Sequence, residues 1–128
     1  MNLLIDTSVF LWICCDPKLL SVTARQALEN PKNDLWVHPV SFWELQIKNQ
    51  IGKLPLKIPL QEFITKGMHR HGIQESTFSS ESIFFLEKLP MLHRDPFDRL
   101  LIAHALLKSW TLVTSDETIK EYPVPILW

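Results

Sequence analysis

The run NLLID, Asn2 to Asp6, sets three aliphatic residues side by side and ends them with a carboxylate. Successive side chains of a strand point to opposite faces, so a strand apolar at every position needs cover on both sides. Such a strand belongs in a parallel sheet with helices above and below it. The segments that follow supply both parts in alternation.

TSVFLWICC continues from the first strand without a turn, and LSVTARQALEN has helical spacing, with Ser21 as its N-cap and Pro31 beyond its end. DLWVHPV reads as a second strand. SFWELQIKNQIG reads as a helix with Ser41 as cap and Gly52 as terminator. KLPLKIP cannot be helical inside, because Pro55 and Pro59 each remove a donor and extend the residue before them. A helix over LQEFITKGMHRH, a short strand in IQESTF and a helix over SSESIFFLEKL, closed before Pro90, come next. The most apolar helix then starts in HRDPFDR and is followed by the strand TLVTSD, a short helical turn and a last strand, VPILW. Alternation of this kind predicts a three-layer α/β domain with a central parallel sheet flanked by helices.

At 128 residues, the chain is expected to form a single domain over 1–128 with a full core. A net charge of −1 gives no global basic field, so any nucleic-acid contact must come from a local patch. Cys14 and Cys15 are adjacent and match no zinc spacing, which leaves two thiols of a reducing compartment. The start of the chain has no basic n-region, and the apolar helix from Phe97 to Trp110 is too short and too charged to span a bilayer. A cytoplasmic protein without membrane contact is the expectation.

In open parallel sheets, sites form at the carboxyl ends of strands, where the following helices begin. Four acids fall there: Asp6 after LLI, Glu44 after the second strand, Asp98 in the first turn of the apolar helix, and Asp116 after LVTS. Each has a bland reading. Ser41 and Glu44 have the spacing of a capping box, and Asp95, Pro96 and Asp98 read as cap, first and third helical positions. Asp116 fits a turn or cap, and Asp6 has nothing to cap except the segment that begins at Thr7. Taken singly, Glu44 and Asp98 are capping residues. Taken together, four carboxylates at one rim repel one another unless a cation lies among them. An all-oxygen set without cysteine or clustered histidine suits Mg²⁺ or Mn²⁺, ions that polarise phosphoryl oxygens and activate water. The residues therefore point to a metal-dependent phosphodiester site.

LLIDTSVFLW, VSFWELQIKNQIGKL, LPMLHRDPFDRLLIAHA and TLVTSDETIKEYPVPILW together resemble PIN-domain proteins of the VapC toxin type, in order and spacing over nearly the whole chain. The resemblance implies a PIN-like parallel-sheet nuclease fold and Mg²⁺- or Mn²⁺-dependent cleavage of RNA. It also implies a homodimer and neutralisation by a small antitoxin, through which alone operator DNA is met. Matched position by position, it makes Asp6, Glu44, Asp98 and Asp116 the catalytic and metal-binding acids. Thr7 and Ser115 (or Thr114) match hydroxyl positions that hold metal waters or phosphate, and Asp95 stays the helix cap. Arg99 is assigned to phosphate, with an ion pair to a neighbouring acid as its other reading. Relatives often carry glutamine in place of His104, so that histidine has no catalytic assignment.

The remaining features read as structural. His69 and His71 in MHRHG do not share a helix face. His38 and His93 lie near the rim, but activation of water by a metal needs no general base. Lys48, Lys53 and Lys57 form either a basic flank for phosphates or ordinary solvated surface. Phe42 and Trp43 suit core or dimer packing, with base stacking as the weaker reading. An aspartyl-phosphate phosphohydrolase is a competing function, but Ser8 stands where such enzymes place a second aspartate. Gly52, Gly67 and Gly72, the only glycines, form no phosphate loop. A catalytically weak module that works only through an antitoxin is the non-enzymatic alternative.

Overall fold

β1 (Asn2–Ile5) is the middle strand of a five-stranded, all-parallel sheet of order β3-β2-β1-β4-β5. Its neighbours are β2 (Asp34–Val37) and β4 (Thr111–Val113), with β3 (Ile73–Glu75) and β5 (Ile126–Leu127) outside them. A computed structural model describes all residues, 1–128. The helices are α1 (Thr7–Cys15), α2 (Val22–Glu29), α3 (Pro39–Gln50), α4 (Leu60–His71), α5 (Ser80–Phe85) and α6 (Pro96–Lys108).

The alternation expected from NLLID is realised on two faces. Leu3 and Ile5 enter one core with Val9, Phe10, Leu45 and Ile64, whereas Leu4 enters another with Leu101, Ile102, Leu112 and Ile119. All three β1 aliphatics are fully buried, and each contributes about 1.5–3 kcal/mol relative to exposure. α6 is buried from Arg99 through Ala105, as befits the most apolar helix of the chain.

Several boundaries differ from expectation for local reasons. α3 begins at Pro39, not after Ser41. Proline suits the first helical position, and the extended His38 caps the helix through Nδ1, which accepts from Val40 N at 2.9 Å. Ser41 is thus a buried residue inside the first turn, where its Oγ accepts from the Thr7 hydroxyl at 2.9 Å. The C-terminal expectation held, since α3 stops at Gln50 and Gly52 takes φ 80°. The strands expected in IQESTF, TLVTSD and VPILW are trimmed to two or three residues. The helix over SSESIFFLEKL tightens into a 3₁₀ turn at Leu86–Lys88 before Pro90.

α1 and α4 approach closely at Gly67, where an added Cβ would lie 2.7 Å from Cys14 Sγ and 3.4 Å from Phe10 Cζ. Gly67→Ala gains helix propensity but overpacks this crossing. Its cost in urea unfolding should be about 1 kcal/mol greater with Cys14 present than in a Cys14→Ala background. Equal costs in both backgrounds would show that the two residues do not meet.

Candidate active site

The strand order reverses beside β1: β2 and β3 lie on one side, β4 and β5 on the other. Crevices at such a switch point open at the carboxyl ends of the strands. A cleft of about 390 Å³ lies there, lined by Asp6, Glu44, Asp95, Asp98 and Asp116 together with Thr7, Ser8, Trp12, Lys48 and Ser115. β1 leads directly into Asp6, and β4 leads through Thr114 into Ser115 and Asp116. α3 contributes Glu44 and Lys48, and the start of α6 contributes Asp95 and Asp98.

Each acid is anchored locally. Asp6 is buried and caps α1, with Oδ1 accepting from Val9 N at 2.7 Å. Asp95 caps α6 as the sequence reads, accepting from the amides of Phe97 and Asp98. Asp116 Oδ1 accepts from Thr118 N and Ile119 N, and its own N–H donates to Thr114 Oγ1. Glu44 is not part of a capping box. With α3 starting at Pro39, it falls in the second turn, too far along to reach the cap residue's amide. Instead Oε2 pairs with Lys48 Nζ at 3.1 Å, and Oε1 is buried without a partner. Asp98 Oδ2 meets His93 Nε2 at 2.8 Å, and the same nitrogen lies 3.5 Å from Asp116 Oδ2.

Crowding carboxylates in a half-dry cleft disfavours their charged forms. Burial pushes Asp6 up to about 6; hydrogen bonds from Thr114 and Val9 N oppose this, and Asp116 and Glu44 add repulsion. Burial pushes Asp98 up to about 7, with repulsion from Asp95, Asp6 and Glu44 against the hydrogen bond from His93. Lys48 is the lone lysine or arginine in the lining. Excess negative charge, an unpartnered buried Glu44 oxygen and a donor set made of carboxylates fit a hard divalent cation.

Of the residues singled out from sequence, Asp6, Thr7, Glu44, Asp98, Ser115 and Asp116 come together at this cleft. Thr7 does so with its hydroxyl hydrogen already donated to Ser41. Arg99 does not come to it. It is buried, with Nη1 donating to Pro90 O at 2.8 Å and to Tyr122 Oη at 3.1 Å, and Nη2 donating to Leu86 O at 3.1 Å. Neither the phosphate role nor the ion pair describes it, because it is buried away from the cleft and its hydrogen bonds go to backbone carbonyls and a tyrosine. His93, which the sequence places near the rim without a role, meets two of the acids, and Lys48, left between basic flank and solvated surface, joins the cleft; a basic residue four positions after Glu44 on a helix is the available signal for it. His38 and His104 pack edge to face at 4.7 Å. Burial holds both down to about 4, with the other ring adding to the effect at His38 and Lys108 at His104, so both are neutral core residues.

Comparison with known proteins agrees with this fold. The model of the PIN domain family matches residues 3–125. A ribonuclease of Mycobacterium tuberculosis, VapC22, is 29% identical over 127 residues, spanning 97% of this chain and 94% of its own. The structure of VapBC2 from Rickettsia felis bound to a DNA fragment from their promoter superposes with TM-score 0.76 at 20% identity, covering 98% of this chain and 97% of that one. VapBC-1 from nontypeable Haemophilus influenzae superposes with TM-score 0.63 at 16% identity, covering 98% and 96%. At these identities the two solved structures speak for the fold.

The raised Asp98 has a consequence for stability. Its folded value, about 7, lies above the ordinary 3.8, so its contribution is fully present below about 3.8 and lost as pH rises through about 7. Asparagine stays neutral throughout. In chelator, the melting temperature of Asp98→Asn should therefore exceed that of the unaltered protein by a margin that widens from pH 4 to pH 8. A margin that stays constant over that range would contradict the assigned burial and repulsion.

Proposed function

The chain belongs to the PIN-domain family, and from that premise we propose that it is a ribonuclease of the VapC type, the toxin of a toxin–antitoxin pair, acting in the cytoplasm. The observation that carries the reading is the convergence of Asp6, Glu44, Asp98 and Asp116 on one cleft at the switch point of the sheet. The relative VapC22 is a ribonuclease by name, which supports RNA as the substrate class.

Asp6, Glu44, Asp98 and Asp116 are the residues that would hold Mg²⁺ or Mn²⁺. Such an ion, when bound, neutralises charge on a phosphodiester and lowers the pKa of water to generate a nucleophile. The chain does the rest. Asp6 and Asp116, both in the cleft lining, are fixed by backbone donors to Oδ1, which limits the side-chain freedom lost on binding. Lys48, paired with Glu44 at the cleft wall, offers a positive charge to a phosphate oxygen. Ser115 supplies a hydroxyl at the rim.

The proposal includes an antitoxin partner, contact with operator DNA only through it, and a homodimer. Two neighbours of known structure are VapBC assemblies, and exposed Trp43, Ile47 and Ile51 along α3 provide apolar surface for association. No helix is long and apolar enough to cross a membrane.

Incubation with total cellular RNA, with and without chelator, tests the reading. Cleavage should require Mg²⁺ or Mn²⁺, and Asp6→Asn and Asp98→Asn should each lower it by more than the roughly 10- to 100-fold typical of outer-shell changes at metal sites. Full activity in both variants, or cleavage indifferent to chelator, would overturn the assignment. Antitoxin binding without any cleavage would leave the binding-module alternative in its place.

A further inference from the structure

The tightest group of candidate metal donors at the cleft is not three carboxylates: it joins Asp98 and Asp116 of the lining to His93 beside them. His93 Nε2 lies 2.8 Å from Asp98 Oδ2 and 3.5 Å from Asp116 Oδ2, and one donor atom from each residue falls within 4.8 Å of the other two. We propose that His93 is itself a ligand of the divalent cation, together with Asp98 and Asp116, so that the site is mixed nitrogen–oxygen rather than all carboxylate. This rests on the reading of the cleft as a metal-dependent ribonuclease site.

Donors about 2.1 Å from a single ion lie at most about 4.2 Å apart. The observed group exceeds that by little more than half an ångström at most, a distance side-chain rotation covers. The imidazole already directs Nε2 between two acids, where its proton or lone pair occupies the position a cation would take. Its backbone is moored there. Tyr122 Oη accepts from Leu92 N at 3.1 Å and from His93 N at 2.9 Å, and it donates to Pro90 O at 2.8 Å. Arg99 braces the same loop from beneath through Pro90 O, Tyr122 Oη and Leu86 O. Arg99 and Tyr122 are thus positioning residues for His93. A histidine serving only as surface would need none of this.

Carboxylate and water sets suit Mg²⁺, whereas imidazole favours first-row transition ions. The mixed set therefore prefers Mn²⁺ to Mg²⁺ more strongly than the four acids alone would.

The test is Mn²⁺ binding to the whole chain labelled with ring-¹⁵N histidine, read by pulsed electron paramagnetic resonance alongside titration calorimetry. The unaltered protein should show coupling to one imidazole nitrogen. His93→Asn keeps the backbone donor to Tyr122 and should abolish that coupling. It should also weaken Mn²⁺ binding by roughly ten-fold or more, with a smaller change for Mg²⁺. His93→Gln is a second variant with the same expectation, should the first not fold. Mn²⁺ bound without any nitrogen coupling, or a nitrogen coupling that survives both variants, overturns the inference and leaves the nuclease reading standing. Failure of the unaltered protein to bind Mn²⁺ overturns both.

Discussion

The two-sided hydrogen bonding of β1 is the constraint on which the rest depends. Its backbone groups are shared between β2 and β4, and its side chains are divided between two cores. The ladder runs one step further, with Asp6 N donating to Val113 O at 3.2 Å. Neither edge nor either face is left for solvent, so this strand reaches the surface only at its two ends, and the carboxyl end is the one that the following helices surround. A polar residue placed there is held by the most rigid part of the molecule, and Asp6 is that residue.

The acids around it serve folding and the cleft with different oxygens. Asp6 and Asp116 each use Oδ1 to satisfy backbone amides that would otherwise be orphaned at the start of a helix or turn. At Asp6 the donor favours the charged carboxylate and partly offsets the penalty of burial. Oδ2 of Asp116 faces His93, and none of the backbone bonds to either acid uses its second oxygen. A capping role and a ligand role are therefore compatible for the same side chain. The opposition between them, natural when each acid is considered singly, dissolves once the atoms are distinguished.

The parts of this arrangement that could be read from sequence are those governed by periodicity and by position relative to strand ends. NLLID announced a doubly covered strand because consecutive aliphatics leave no wet face, and Asp6, Asp98 and Asp116 follow from where strands stop and helices start. Ser41 was assigned as a cap because S-x-x-E is a strong local pattern. His38 and Pro39 outcompeted it, since a ring nitrogen is an uncommon cap and carries little weight in propensity. Arg99 was misread because its partners are carbonyls of a preceding loop and a tyrosine 23 positions away, contacts with no local trace. His93 lies five residues before Asp98, a spacing that means nothing on a helix. It becomes meaningful only once the loop between them is known to be tied down.

The Tyr122 hydroxyl also bears on the order of events during synthesis. It holds together a loop, Pro90 to His93, and a helical arginine, all translated well before it. Asp116, likewise, arrives on a strand that cannot pair with β1 until more than a hundred residues have been made. The β1–β2–β3 side of the sheet is complete in the chain by Glu75, but β1 still lacks β4 and half of its cover at that point, and domains fold as units. The acidic rim closes only on long-range contacts, which are the slowest to form. A partly synthesised chain consequently lacks Asp98 and Asp116 as well as the strand that completes the sheet, so fold and site are finished together, at the end of the chain.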